Sequence, residues 1–136
     1  MTFTPNLHGD YSIETLPHQL RLKMWGAWNQ QASEQCTQHV FREVDNLKHQ
    51  PWVFFVDLLE WELTSPEVLA GWDPSLAALL ELNLRAQCIV CDSKLCEFLM
   101  QKHQSRGDSN HQLTCGFFDD FSEAETWVLA QISQFT

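Results

Sequence analysis

Residues 51–58 read PWVFFVDL, a short and continuously apolar run bounded by Pro51 and by the acid Asp57. A run of this kind is typical of a strand that is covered on both of its faces. We therefore predict that it lies in the middle of a sheet. The stretch that follows, LEWELTSPE (59–67), predicts a turn that carries Trp61 and then the start of a helix.

The segments before this strand predict a hairpin and a helix. Residues 9–16 and 19–28 alternate between apolar and polar side chains and are separated by a Pro-His turn, which is the pattern of a β-hairpin. After Asn29 the apolar residues recur every three to four positions, which predicts an amphipathic helix over about 30–48. Asn29 is suited to cap this helix, because its side chain can accept a free amide hydrogen of the first turn.

Helix start signals follow the apolar strand. Ser65 and Asp73 each stand directly before a proline, and a proline at the first helical position loses no hydrogen bond. They predict two helical pieces, about 66–71 and 74–83. The rest of the chain predicts a buried strand at 86–93, a helix at 93–103, a polar loop at 104–112, a strand at 113–120, and a last helix opened by a capping box of Ser122 and Glu125.

The predicted element order is β-β-α-β-α-β-α-β-α, which is an α/β fold. Strands that alternate with helices pair in parallel through right-handed crossovers, so we expect a mostly parallel central sheet with an N-terminal antiparallel hairpin and helices packed around it. A chain of 136 residues is the size of one ordinary domain, and we predict a single domain over residues 1–136.

Composition narrows the class of function. The formal net charge of −10 repels phosphate backbones and anionic lipid surfaces, so nucleic acid is not an expected partner. No apolar run reaches the roughly 18 residues that a transmembrane segment needs, and the first residues do not resemble a secretion signal. We expect a soluble cytoplasmic protein whose five cysteines are reduced thiols.

Four stretches carry a resemblance to a known family: MWGAWN, WVFFVDLLEWELTSPE, QCIVCDS and FFDDFSEAETWVLAQ. Together with the element order they make residues 10–136 resemble the STAS superfamily, and within it the small bacterial SpoIIAA-like, STAS/SEC14-related domains. The resemblance implies a SpoIIAA-like STAS fold, usually without enzymatic activity, that binds a protein partner or a small and often apolar ligand.

Signalling members of the superfamily carry an Asp-Ser-Ser-Gly turn whose serine is phosphorylated. The corresponding residues here read LTSP (63–66), without the aspartate and the glycine. An N-cap role for Ser65 is favoured, because serine before proline is a common helix opening and acids already surround the position. An anti-sigma-factor-antagonist type of protein, with a degenerate phospho-switch at Thr64 or Ser65, remains the alternative function.

The tryptophans are the most informative residues for a binding site. Trp25, Trp28, Trp61 and Trp72 fall at or just beyond predicted element ends, where they either fill the core under loops or border a binding surface. Tryptophan combines a large apolar area with one N–H donor, which suits pockets and interfaces. Our hypothesis is that the four frame one apolar surface for a small lipid-like molecule or a protein partner, a second copy of the chain included. Asp57, at the carboxyl end of the central strand, is added to this site.

The cysteines Cys88, Cys91 and Cys96 raise the question of a metal site. A CxxC spacing lets two thiolates bind one zinc ion, but residues three apart on a strand point to opposite faces. His111 and Cys115 would complete a site only if two strands and a loop converged. We therefore predict buried thiols, and no metal or other cofactor.

Nothing in the sequence requires catalysis. The six histidines show no metalloenzyme spacing, and there is no phosphate-binding glycine loop and no GxSxG elbow. Asp119 and Asp120 end a predicted strand and precede a helix start, where acids commonly satisfy turn amides. We predict no catalytic residue; an enzyme or metal site at Asp57, Asp119 or the cysteines is the least favoured interpretation.

Overall fold

The computed structural model of the protein describes residues 9–62 and 64–135. Within these ranges the chain forms a five-stranded sheet and four helices in the predicted order, which confirms the α/β fold class. The elements are β1 (Asp10–Leu16), β2 (Gln19–Ala27), α1 (Gln30–Val44), β3 (Trp52–Glu62), α2 (Pro66–Glu81), β4 (Leu84–Val90), α3 (Lys94–Gly107), β5 (Thr114–Phe118) and α4 (Phe121–Ser133).

The strands lie side by side in the order β1-β2-β3-β4-β5. The first pair is the predicted antiparallel hairpin, and every other pair is parallel. β3 occupies the middle of the sheet, and residues 52–56 are all buried, as a strand covered on both faces requires. The central prediction from the apolar run is therefore confirmed.

Strand alternation divides the core into two clusters on opposite faces of the sheet. On one face, even-numbered residues such as Leu22 of β2 and Phe54 of β3 pack against α1, α2 and α3; we call this the three-helix face. On the other, Val53 and Phe55 of β3 pack against Ala124 and Val128 of α4; we call this the α4 face. Ala124 and Val128 therefore lie on the side of the last helix that faces the sheet.

A β-bulge in β3 changes which side chains reach the three-helix face. The register passes from Lys23 paired with Asp57 to Trp25 paired with Glu60, so β3 contains one residue more than β2 over this span. Such an extra residue rotates the strand, and Trp61 is brought into the cluster of the three-helix face. The prediction that Trp61 lies in a turn beyond the strand is wrong, because pairing with β2 continues through this region.

The segment after β3 is one helix, not the two predicted pieces. α2 runs through Pro74, which stands inside it. An internal proline removes one backbone hydrogen bond and costs about 3 kcal/mol in an isolated helix. Here Val68, Leu76 and Leu79 are buried on the same helix, so packing of its apolar side against the core offsets this cost. Trp72 consequently lies in mid-helix, and not at an element end.

The helix caps follow local chemistry, with one correction. Asn29, Ser65 and Ser93 accept amide hydrogens of the turns they precede. The last helix is capped by Asp120, which accepts from the Ser122 backbone N–H at 2.8 Å, so the predicted start at Ser122 is two residues late. A carboxylate that reaches the first free amides removes the need for a capping box further on. No helix of the described residues has the length and apolar character needed to cross a bilayer.

Candidate functional site

A cavity of about 80 Å³ lies between the three-helix face of the sheet and helices α1, α2 and α3. A single buried water needs roughly 10–15 Å³ measured in this way, so the space is several times larger than that. Its floor is apolar because alternation turns the same set of strand residues toward the helices. These floor residues are Leu22, Met24, Phe54, Val56 and Ile89.

The cavity opens to solvent between α1 and α2. Most residues that line it are buried, and the half-buried ones are Thr37 and Phe41 on α1 and Trp72 and Ser75 on α2. Side chains that keep some exposure mark the place where a cavity meets the surface. We refer to these four residues as the mouth. Among the described residues, the hydroxyls of Thr37 and Ser75 have no hydrogen-bond partner.

Three of the four tryptophans singled out in the sequence lie together. The Trp72 ring contacts those of Trp61 and Trp28, with centroids 5.8 and 6.5 Å away. Trp28 and Trp72 also line the cavity. Trp25 does not join them, because strand alternation directs its side chain to the opposite face from Met24. Its backbone carbonyl accepts the indole N–H of Trp28 at 3.0 Å.

The indole N–H groups of the three clustered rings are not equally satisfied. Trp72 Nε1 donates to Ser33 Oγ at 2.6 Å, and this bond links α2 to α1 beside the mouth. Trp61 Nε1 is sealed from solvent and has no hydrogen-bond partner among the described residues. A buried donor without a partner costs roughly 1–3 kcal/mol, so Trp61 is held in place by packing and not by a hydrogen bond.

Asp57 lies away from the cavity. It is half-buried at the β-bulge, where its Oδ1 accepts the backbone N–H of Leu59 at 3.0 Å. An aspartate that bonds an amide two residues further on stabilises a local turn of the chain. The sequence assigned Asp57 to a ligand or partner site. In the structure its carboxylate shapes the β-bulge.

Thr64 and Ser65 both make structural hydrogen bonds. Ser65 is exposed and accepts the Val68 backbone N–H at 3.3 Å, which confirms the predicted N-cap. Thr64 is half-buried, and its hydroxyl donates to the backbone carbonyl of Trp28 at 2.6 Å. The turn after β3 is therefore fastened to the end of β2, close to the tryptophan cluster.

Sequence reasoning missed a group of buried polar side chains in and beside the wall of the cavity. His103 on α3 and Gln87 on β4 both line it and are 8% and 5% exposed. His103 Nδ1 lies 2.8 Å from Asp73 Oδ1 on α2, and Gln87 Oε1 accepts from Gln104 Nε2 at 2.9 Å. Burial lowers the pKa of His103, and the hydrogen bond to Asp73 opposes this in part.

A sequence signal for His103 was present. Cys96 and Met100 are four residues apart on the buried side of α3, and the next position on that stripe is His103. The predicted helix ended at residue 103, which left the stripe without its last turn. Because α3 continues to Gly107, His103 is an interior helix residue that faces the core, and not the exposed end of a helix.

Four of the five cysteines, Cys36, Cys88, Cys91 and Cys96, are buried thiols, and Cys115 is exposed. Cys88 belongs to the α4 face and Cys91 to the three-helix face, which confirms that the CxxC pair points in opposite directions. Burial raises the pKa of Cys36, Cys88 and Cys96 to about 12, so these thiols stay protonated at neutral pH. Among residues 9–62 and 64–135, no three His, Cys, Asp or Glu side chains gather in a way that would hold a metal ion.

Comparison with known proteins identifies structures with a similar fold. No protein-family model matches the sequence, and no curated protein matches it. A similar solved structure is an uncharacterised protein of the DUF3478 family with a SpoIIAA-like fold from Shewanella loihica PV-4, at TM-score 0.66 and 22% identity over 93% of this chain and 99% of that one. An anti-sigma factor antagonist from Mycobacterium paratuberculosis is similar at TM-score 0.56 and 16% identity, over 89% of this chain and 94% of that one. The SpoIIAA-like fold implied by the sequence resemblance is therefore confirmed.

Proposed function

We propose that the protein is a non-catalytic, STAS-like binding module that holds an apolar small molecule in the cavity behind helices α1 and α2. The observation that carries this proposal is the partly open apolar cavity, with Trp28 and Trp72 in its wall. Aromatic and aliphatic walls with a few polar groups are the usual composition of small-molecule sites.

Packing considerations support a ligand in this space. Protein cores are close-packed, and voids larger than a water molecule are few. Side chains that border empty space lose the dispersion contacts they would make with a neighbour, so an unfilled apolar cavity lowers stability. An apolar guest restores those contacts and is removed from water at the same time, which gives it a reason to bind.

The wall chemistry also restricts the class of ligand. None of the described residues that line the cavity is a lysine or an arginine. Phosphate groups of nucleotides are normally held by such cations or by glycine-rich backbone loops. The proposal is therefore limited to lipid-like or other largely apolar molecules.

The proposal is tested by blocking the mouth. Ser75→Phe places a ring at the opening, and Ala77→Phe places the same ring on an exposed position of the same helix. Native mass spectrometry and the fluorescence of Trp28 and Trp72 report binding of medium-chain amphiphiles such as decan-1-ol. We expect wild type and Ala77→Phe to bind and Ser75→Phe to bind at least tenfold more weakly. Equal binding by both variants, or no binding by wild type, contradicts the proposal.

The proposal extends to the compartment, the domain organisation and the oligomeric state of the protein. We place it in the cytoplasm as one domain over residues 1–136, since all five of its cysteines are free thiols and a reducing compartment keeps them so. Homodimerisation through the tryptophan region remains part of the hypothesis. The oligomeric state is measured directly by sedimentation of the purified protein.

A second candidate is a regulatory protein of the anti-sigma-factor-antagonist type. The likeness of fold to the Mycobacterium paratuberculosis protein of that name favours it. Ser65 is exposed and so open to modification, but its hydroxyl caps α2. Intact-mass analysis of protein from its native host distinguishes the candidates: a phosphate at Thr64 or Ser65 supports the regulatory one, and its consistent absence supports the binding module.

A further inference from the structure

We propose that the ligand of this cavity is a neutral amphiphile whose hydroxyl group donates a hydrogen bond to Nε2 of His103. This inference rests on the proposed function and adds the chemical class of the ligand and the side chain that recognises it. It follows from three properties of His103: the hydrogen bond at one ring nitrogen, the accessible surface of the other, and the charges around it.

The hydrogen bond to Asp73 decides which nitrogen of His103 carries the hydrogen. Nδ1 lies 2.8 Å from Asp73 Oδ1, and a carboxylate can only accept. Nδ1 is therefore the donor, and in the neutral ring Nε2 is left with a lone pair. Burial lowers the pKa of His103, which keeps the ring neutral at ordinary pH. Asp73 acts here as a positioning residue that presents Nε2 as an acceptor.

The second ring nitrogen, Nε2, is the atom to which we assign recognition of the ligand. Nε2 of His103 has no hydrogen-bond partner among the described residues. Within the same residues, Trp61 Nε1 is the one buried side-chain nitrogen or oxygen that is both without a partner and sealed from solvent. Because His103 lines the cavity and its ring packs edge-on to Trp72 at 6.1 Å, we infer that Nε2 keeps accessible surface and that this surface lies toward the cavity.

The surroundings favour a neutral group over an anion. A carboxylate placed at Nε2 would share a buried imidazole with the carboxylate of Asp73, and no lysine or arginine is among the described lining residues. The cation that acts on His103 is Arg106, which is exposed on α3 and does not line the cavity. A hydroxyl donates to Nε2 without adding charge. Gln87 is a second buried polar residue that lines the same cavity. The apolar floor is chemically suited to contact a hydrocarbon chain.

A series of three ligands of equal chain length tests the proposal on the wild-type protein. Decan-1-ol carries the donor, 1-methoxydecane lacks it, and decanoate at pH 8 carries a charge instead. Titrations followed by calorimetry and tryptophan fluorescence give the three dissociation constants. We expect the alcohol to bind about fivefold to tenfold more tightly than the ether, the range of a net neutral hydrogen bond, and decanoate to bind most weakly.

The failure of this inference is distinguishable from the failure of the proposed function. If alcohol and ether bind equally, or decanoate binds best, the hydroxyl inference is overturned while an apolar binding site stands. If none of the three binds, both are overturned. An advantage of the alcohol over both other ligands supports the inference.

A variant assigns the preference to His103. His103→Phe keeps a flat ring beside Trp72 and removes Nε2. We expect it to bind decan-1-ol no better than 1-methoxydecane, and the ratio of the two dissociation constants reports the loss of Nε2 because any change in the cavity wall affects both ligands. A variant that keeps the preference for the alcohol overturns the role of His103. ¹⁵N NMR of the wild-type imidazole is an independent measurement: Nε2 should be unprotonated and its resonance should shift with decan-1-ol but not with the ether, and a protonated Nε2 overturns the inference.

Discussion

The two faces of the sheet differ in how completely their side chains fill the space against the helices. The α4 face buries seven apolar residues, Val53, Phe55, Ala86, Cys88, Val90, Ala124 and Val128, and none is more than 1% exposed. None of them borders the cavity. The three-helix face buries more residues but leaves an open space among them and includes the polar side chains Gln87, Gln104 and His103.

This difference in packing indicates that the two faces have different roles. A fully apolar and closely packed cluster contributes stability and leaves no room for a guest. An incompletely filled cluster with buried polar groups costs stability, and such features are retained where a binding site needs them. We infer that the α4 face serves mainly to hold the sheet together and that the three-helix face serves to bind.

The largest expected effect is on the free energy of unfolding, and it is measured by substituting two neighbouring residues of β3. Phe55→Ala removes a ring from the closed α4 face, where it contacts Phe121 and lies under Arg21, and should lower the free energy of unfolding by about 3–5 kcal/mol. Phe54→Ala removes a ring that already borders the cavity, so its cost should be smaller by about 1 kcal/mol. Urea denaturation of both variants measures the difference, and a larger loss for Phe54→Ala would contradict the comparison.

An added methylene should act in opposite ways on the two faces. Val128 on α4 is fully buried, and Val128→Leu should overpack its surroundings and cost about 1–3 kcal/mol. Val40 on α1 lines the cavity, so Val40→Leu should be neutral or stabilising and should weaken decan-1-ol binding. Both sites are in helices, which makes the change in helix propensity the same. Thermal unfolding of the pair, with titrations of the second variant, tests this; equal destabilisation would remove the distinction between the faces.

Within the three-helix face, a smaller difference in stability is expected between substitutions of two tryptophans. Trp72→Phe deletes the hydrogen bond to Ser33 and leaves that buried hydroxyl without its donor. Trp61→Phe deletes an N–H that has no partner within residues 9–62 and 64–135. Both variants lose similar ring area. We expect Trp72→Phe to cost about 1 kcal/mol more in chemical denaturation. The reverse order would show that the Trp61 N–H makes a bond in solution.

The smallest effect at neutral pH is the one linked to His103. Burial lowers the pKa of His103 below the value near 6.5 that holds in the unfolded chain. As the pH falls through about 6.5, the unfolded state therefore takes up a proton that the folded state resists, and the free energy of unfolding decreases. His103→Phe should lose less stability than wild type between pH 7.5 and pH 5.5 in urea titrations. Identical losses would show that the ring is not protected from protonation.

Much of the fold was predictable because its signals are local. The apolar run of β3, the alternation of the hairpin, and the caps Asn29 and Ser65 each depend on residues that are neighbours in the chain. Helix boundaries were less predictable: packing of α2 against the core carries it through Pro74, and α3 continues one turn beyond its predicted end. Local signals mark where a helix prefers to stop, but tertiary contacts decide whether it does.

The candidate site was predictable only in part. The sequence drew attention to the surplus of tryptophans, and three of the four do lie together. It did not separate Trp25 from the others, although Trp25 lies inside β2 and strand alternation places its side chain on the opposite face from Met24. It gave no reason to join His103 to Asp73, which are 30 residues apart.

The sequence alone determined the order of strands and helices, the burial of the central strand, and the division of its side chains between two faces, since these follow from periodicity and capping. The tertiary structure alone decided the bulge that turns Trp61 inward, the gap between α1 and α2, and the meeting of His103 with Asp73. Those features depend on how whole elements are displaced and rotated against each other, and residue spacing along the chain does not encode that geometry.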